Sequence, residues 1–192
     1  IDIYDFFDSM TALIVISNKE DCMTTQKTIT NRRKSVDERN NELMKTLWTE
    51  EELNKIPRWN RKINHGFATL PRALPLITLI QDKLSNGKPL SSTYLSLWFR
   101  GNDDGFINIK NEKDLAIESG FSGERAVSTW KSRMKLLQEF GFIEIKKGFE
   151  NEFQYILLIN PFIAIHRLKD TIQEGLYTKL TERMLEVGSK WD

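Results

Sequence analysis

Residues 123–139 hold the densest set of side chains able to meet a phosphate or a base edge: Arg125, Ser128, Thr129, Lys131, Ser132, Arg133 and Lys135. Wound as a helix of about 100° per residue, the segment gathers Ala126, Val127, Trp130, Met134 and Leu137 on one apolar stripe. Arg125, Ser128, Lys131, Ser132 and Lys135 then fall on the opposite face, with Thr129 and Arg133 on a flank. Glu124 and Glu139 stand at the two ends of that face, so its middle carries no carboxylate. An acid there would repel phosphates, whereas Ser and Thr donate to phosphate or base edges and Arg or Lys pairs with guanine. Gly123–Glu124–Arg125, at the expected start of the helix, would add free backbone donors suited to a phosphate. Lys146 and Lys147 follow, just ahead of Gly148. Over residues 122–148 six basic residues face three acids, a basic surplus of three. Such a surplus on one amphipathic helix is what a solvated surface also carries, so the elements around it must decide.

Those elements read as follows. Asn111 caps a short helix containing Leu115, Ala116 and Ile117 that closes at Gly120. Phe121–Ser122–Gly123 makes a turn, and the longer helix runs from 123 to 139 and stops at Phe140–Gly141. Phe142–Ile145 is expected as a strand, 146–151 as a loop, and Phe153–Ile159 as a second strand ended by Asn160–Pro161. A hairpin cannot bury one face alone, so this one must lie against the helices. Upstream, Leu74–Leu84 reads as a helix with Pro75 in its first turn and a stop at Asn86–Gly87. Ser91 or Ser92 is expected to cap the next helix, and Phe106–Ile109 is a short strand. The order of helix, strand, helix, tight turn, helix and hairpin is the layout of a helix-turn-helix followed by a β wing.

The chain has 192 residues with 28 Lys plus Arg against 27 Asp plus Glu, a formal net charge of +1. With 40% hydrophobic and 29% charged residues it has globular composition, which excludes wholesale disorder and collagen-like repeats. No apolar run approaches the length of a membrane span. One cysteine, Cys22, excludes an intrachain disulfide or a cysteine cage, and with two histidines, His65 and His166, the pattern argues against a zinc site. A reducing, cytoplasmic setting is expected. Asn102–Asp103–Asp104–Gly105 reads as a turn, because the spaced oxygen ligands and closing Glu of a calcium loop are missing. No phosphate-binding glycine loop and no nucleophile–base pair is present, so neither enzymatic activity nor a cofactor is expected.

Four regions follow. Residues 1–35 form an N-terminal arm, acidic through residue 23 and then basic, with a possible strand at Ala12–Ile16. Residues 36–70 are a helical and irregular extension, including a Thr49–Glu52 capping-box pattern, with Trp59 and Phe67 expected to be buried. Residues 71–161 carry the helix–turn–helix and hairpin. Residues 162–192 return to helix with an apolar stripe of Ile172, Leu176, Leu180 and Leu185, which is expected to pair with a second copy as a homodimer.

At Leu136–Leu137–Gln138–Glu139–Phe140–Gly141–Phe142–Ile143 the chain resembles the junction between recognition helix and wing in winged helix-turn-helix proteins. Its continuation through Lys146–Lys147–Gly148 to Tyr155–Ile156–Leu157–Leu158–Ile159–Asn160–Pro161 looks like the wing of plasmid and mobile-element replication initiators and related regulators. The resemblance covers roughly residues 90–161. It implies a mainly α fold with a small β-hairpin, a winged helix-turn-helix domain with helical N- and C-terminal extensions. It also implies double-stranded DNA as partner, with Arg125, Lys131, Ser132 and Lys135 as contacts of the recognition helix. A winged-helix scaffold that contacts proteins without binding DNA is the alternative.

Overall fold

The computed structural model describes residues 38–191. The expected strand at 12–16 and the basic stretch at 24–35 lie outside the described residues. The chain divides into two compact units between Asn64 and His65, six residues ahead of the division expected at 70/71.

In the first unit, a helix over residues 38–47 (α1) precedes α2 (Glu50–Lys55). Thr49 and Glu52 form the reciprocal capping box: Glu52 accepts from the Thr49 backbone at 2.8 Å, and the Thr49 hydroxyl accepts from the Glu52 backbone at 3.3 Å. Those hydrogen bonds, the backbone one first, hold the Glu52 carboxyl below the usual carboxylate range. Leu43 and Leu47 on α1, and Trp48 just after it, are exposed. Trp59 is exposed as well, against the expectation that it is buried.

The second unit is mainly helical with one small antiparallel sheet. Its elements in order are α3 (Leu74–Leu84), α4 (Ser91–Arg100), β1 (Phe106–Asn108), α5 (Glu112–Glu118), α6 (Ala126–Glu139), β2 (Ile143–Lys146), β3 (Tyr155–Leu158), α7 (Pro161–Arg167), a 3-10 turn (Lys169–Thr171) and α8 (Glu174–Val187). The expected hairpin is part of a three-stranded sheet of order β1-β3-β2. β1 pairs Phe106 with Leu157 and Asn108 with Tyr155; β2 pairs Ile143 with Leu158 and Lys146 with Tyr155. Along β3, Ile156 is buried while Tyr155 and Leu157 face water, the period-2 signature of a sheet packed on one side. The covered face meets a core built from Leu97, Trp130, Met134, Leu137, Phe142 and Phe153.

Glycine sets the exits of both central helices. Gly120 (φ +83°) and Gly141 (φ +75°) take the left-handed conformation that a side chain disfavours. Each closes a Schellman turn: Phe121 N donates to Ala116 O and Gly120 N to Ile117 O; Phe142 N donates to Leu137 O and Gly141 N to Gln138 O. The second turn throws the chain from α6 directly into β2, with Phe142 seated against Tyr94 at 5.7 Å between ring centroids.

Four local expectations are corrected. The α4 helix is not capped by Ser91 or Ser92. Asp82 on α3 reaches across the turn and accepts from Leu90 N at 2.6 Å and Ser91 N at 2.9 Å. A carboxylate against free N–H groups at a helix start is favourable through both hydrogen bonding and the helix dipole. Asp82→Ala is therefore expected to cost about 1–2 kcal/mol, read as a lower urea midpoint with an unchanged slope. Second, α6 begins at Ala126 rather than 123, with Arg125 at the N-cap and no side chain capping it. Third, the stripe of α8 runs through Leu180, Met184 and Val187, while Leu185 is 77% exposed. Ile172 and Leu180 join the core and Leu176 is partly buried against it, so of the stripe expected to pair with a second copy Leu185 alone is exposed. Phe67, expected to be buried, is 45% exposed.

Candidate nucleic-acid interface

α6 is held on three sides. Trp130, fully buried, meets Phe153 edge-on with centroids 5.6 Å apart, fastening the helix to the segment that enters β3. Met134 and Leu137 continue the buried stripe, Ala126 is nearly covered and Val127 partly so, as the helical spacing predicts. α5 is tied to α4 at both levels of burial. Ser119 Oγ lies 2.9 Å from Ser96 Oγ in the interior, and on the surface Arg100 Nε donates to Glu118 Oε2 at 2.8 Å. The Arg100 guanidinium holds the Glu118 carboxyl below its usual range. The outward side of α6 is thus presented by a rigid frame.

The nine residues singled out in the sequence do not all meet on that side. Arg125, Ser128 and Lys135 are exposed and Ser132 is half-buried. The Ser128 hydroxyl donates to Arg125 O at 2.9 Å, which keeps the side chain close to the start of the helix. Lys146 and Lys147, at the end of β2, are exposed. Lys131 lies on the flank and is engaged. Its Nζ is 2.7 Å from Glu112 Oε2 on α5 and 5.8 Å from the centre of the Phe153 ring. Thr129 is half-buried. Arg133 turns the other way, its guanidinium 6.0 Å from the Phe121 ring and its Nε buried without a hydrogen-bond partner. Lys131 and Arg133 therefore serve the packing of α6, whereas Arg125, Ser128, Ser132 and Lys135 line its open face.

The β2–β3 loop is an ordered turn rather than a tether. Gly148 N donates to Asn151 O at 3.0 Å, Glu150 N to Gln154 Oε1 at 3.2 Å and Asn151 Nδ2 to Ile109 O at 3.4 Å. A Cβ on Gly148 would collide with the Gln154 side chain folded beneath it. The loop lifts Phe149 wholly into solvent beside Lys147. It also carries Glu152, whose Oε1 lies 3.5 Å from Lys135 Nζ, so the hairpin stands alongside the open face of α6.

Several contributors escaped the sequence reading. Glu112, on α5, pairs with a lysine distant in sequence that nothing in local spacing marks, and the pairing of Glu152 with Lys135 is equally hidden. Lys110 and Lys113 are exposed at the start of α5, next to the residue that holds Lys131. Their only signal was their place around the Asn111 cap, where Asn111 Oδ1 accepts from Lys113 N at 3.0 Å. Phe149 is visible in the sequence as an apolar residue inside a polar loop.

No family model, curated protein or solved structure matches this chain. Among the described residues no cluster of three His, Cys, Asp or Glu side chains could hold a metal ion. Among them, too, no helix is long and apolar enough to cross a membrane.

Proposed function

We propose that this chain is a winged helix-turn-helix protein that binds double-stranded DNA, with α6 entering the major groove and the β2–β3 hairpin flanking it. The carrying observation is that the hairpin bearing Lys146 and Lys147 stands beside the open face of α6 that carries Arg125, Ser128, Ser132 and Lys135. The strand order β1-β3-β2, with α5–turn–α6 inserted between β1 and β2, also supports this reading. In it, Arg125, Lys135, Lys146 and Lys147 neutralise phosphates and fix register. Ser128, Ser132 and the guanidinium of Arg125 are the groups able to address base edges. Together with the resemblance at 136–143, this favours a transcriptional regulator or a replication protein of a plasmid or mobile element.

Fluorescence anisotropy with a labelled duplex of mixed sequence tests the reading. Three exposed cations without an ion-pair partner among the described residues, with Lys135 beside Glu152, predict that the logarithm of the binding constant falls with the logarithm of salt with a slope of about −3. Arg125→Ala should reduce that slope by about one and weaken binding severalfold, with an unchanged melting temperature because the side chain is exposed. Undetectable or salt-insensitive association would overturn the proposal.

A second reading, a scaffold for protein contacts, is favoured by the outer sheet face. There Phe106 and Tyr155 stack at 6.2 Å and Leu157 is 47% exposed. A stable heteromer purified without bound DNA would favour it.

A further inference from the structure

Lys131 and Lys135 sit one helical turn apart on α6, and each has a carboxylate from a different element against it. The two pairs differ in kind. Glu112 is 12% exposed at the side chain and meets Lys131 at 2.7 Å, with the Phe153 ring close by, so this pair belongs to the packing that fastens α5, α6 and the hairpin base together. Glu152 is 54% exposed, Lys135 is 63% exposed, and their charged atoms are 3.5 Å apart. A pair so open to water contributes little to folding. Its placement matters instead for whatever approaches the face, because Lys135 is the cation on the second half of that open side.

We propose that Glu152 is a built-in rival for Lys135 that restrains charge-driven DNA binding. This rests on the duplex-binding reading above. A phosphate arriving at Lys135 must displace the carboxylate and then sit beside it, because the ordered loop keeps Glu152 next to α6. The neutral Gln154 side chain supports that loop from beneath, through Glu150 N, so the loop does not depend on the Lys135–Glu152 pair. Glu152 therefore lowers the phosphate-driven, sequence-independent part of the affinity and leaves the base-facing hydroxyls of Ser128 and Ser132 untouched.

Glu152→Gln tests this in the 192-residue chain, with anisotropy on a mixed-sequence duplex of about three helical turns between about 50 and 200 mM salt. Expected are binding about two- to fivefold tighter at the low-salt end, a salt slope steeper by about one and an unchanged melting temperature. Glu150→Gln, which neutralises a neighbouring exposed carboxylate that makes no ion pair among the described residues, should tighten binding less. Lys135→Ala should cost more in the Glu152→Gln background than in the native one. If the native chain binds and Glu152→Gln leaves affinity and slope unchanged, or tightens binding equally without Lys135, the inference is overturned while duplex binding stands. If the native chain shows no binding even at low salt, the duplex reading falls and this inference falls with it, whatever Glu152→Gln does. If neither binds duplex, both proposals fall.

Discussion

Replacing Trp130 with alanine is expected to lower stability by about 3–5 kcal/mol, the range for emptying a large aromatic site in a packed core. Trp130 is wholly buried and abuts Phe153, so its loss removes the contact joining α6 to the entrance of β3. Helix and hairpin should loosen together, and duplex affinity should fall along with the unfolding midpoint. Its indole N–H is buried without a hydrogen-bond partner among the described residues, which separates volume from polarity. Trp130→Phe deletes that unsatisfied donor and keeps a ring, so it should cost markedly less than alanine. Urea unfolding followed by far-ultraviolet circular dichroism reads both changes. Equal losses for the two variants would refute the packing role assigned to this ring.

Removing Arg125, Lys146 and Lys147 together should have the opposite profile, large on binding and small on folding. All three are exposed, and none makes an ion pair among the described residues. The triple alanine variant is expected to lose about a hundredfold in duplex affinity at low salt and to flatten the salt slope by about 2.7. Its melting temperature should stay within a few degrees of the native value. The same replacement at Lys131 belongs with Trp130 rather than with this set. Taking that ammonium away strands Glu112, whose second oxygen Oε1 is already buried without a partner, so Lys131→Ala should destabilise before it weakens any contact with DNA.

The contrast between these groups shows what the sequence could and could not convey. The buried stripe Ala126–Trp130–Met134–Leu137 was legible because helical period and apolar identity agree at every position. The exits at Gly120 and Gly141, the Asn111 cap and the Thr49–Glu52 box were legible because their partners lie within six residues. The start of α6 was misplaced by three residues, since Ser122–Gly123 carries the signature of a cap but the chain continues through a turn to Arg125. Asp82 as the cap of α4 was hidden by the eight and nine residues that separate it from its donors. The pairing of β1 with β3 was hidden for the same reason. On the open face, the residue types and their helical face are readable from the sequence, but the availability of each side chain is not. Whether a lysine is free depends on carboxylates delivered by α5 and by the loop, and only the fold brings those into range.

The strand order β1-β3-β2 has a consequence for the nascent chain. β1 emerges from the ribosome before α5 and α6, yet its partner is the last strand to be made, so the ladder closes only after both helices have left the exit tunnel. Until then Phe106 and Ile107 lack their cross-strand neighbours, and the frame that aims α6 outward is incomplete. A nascent chain whose exposed part ends at Lys146 should therefore carry α5, α6 and β2 without the β1–β3 ladder, and should bind duplex more weakly than the complete fold.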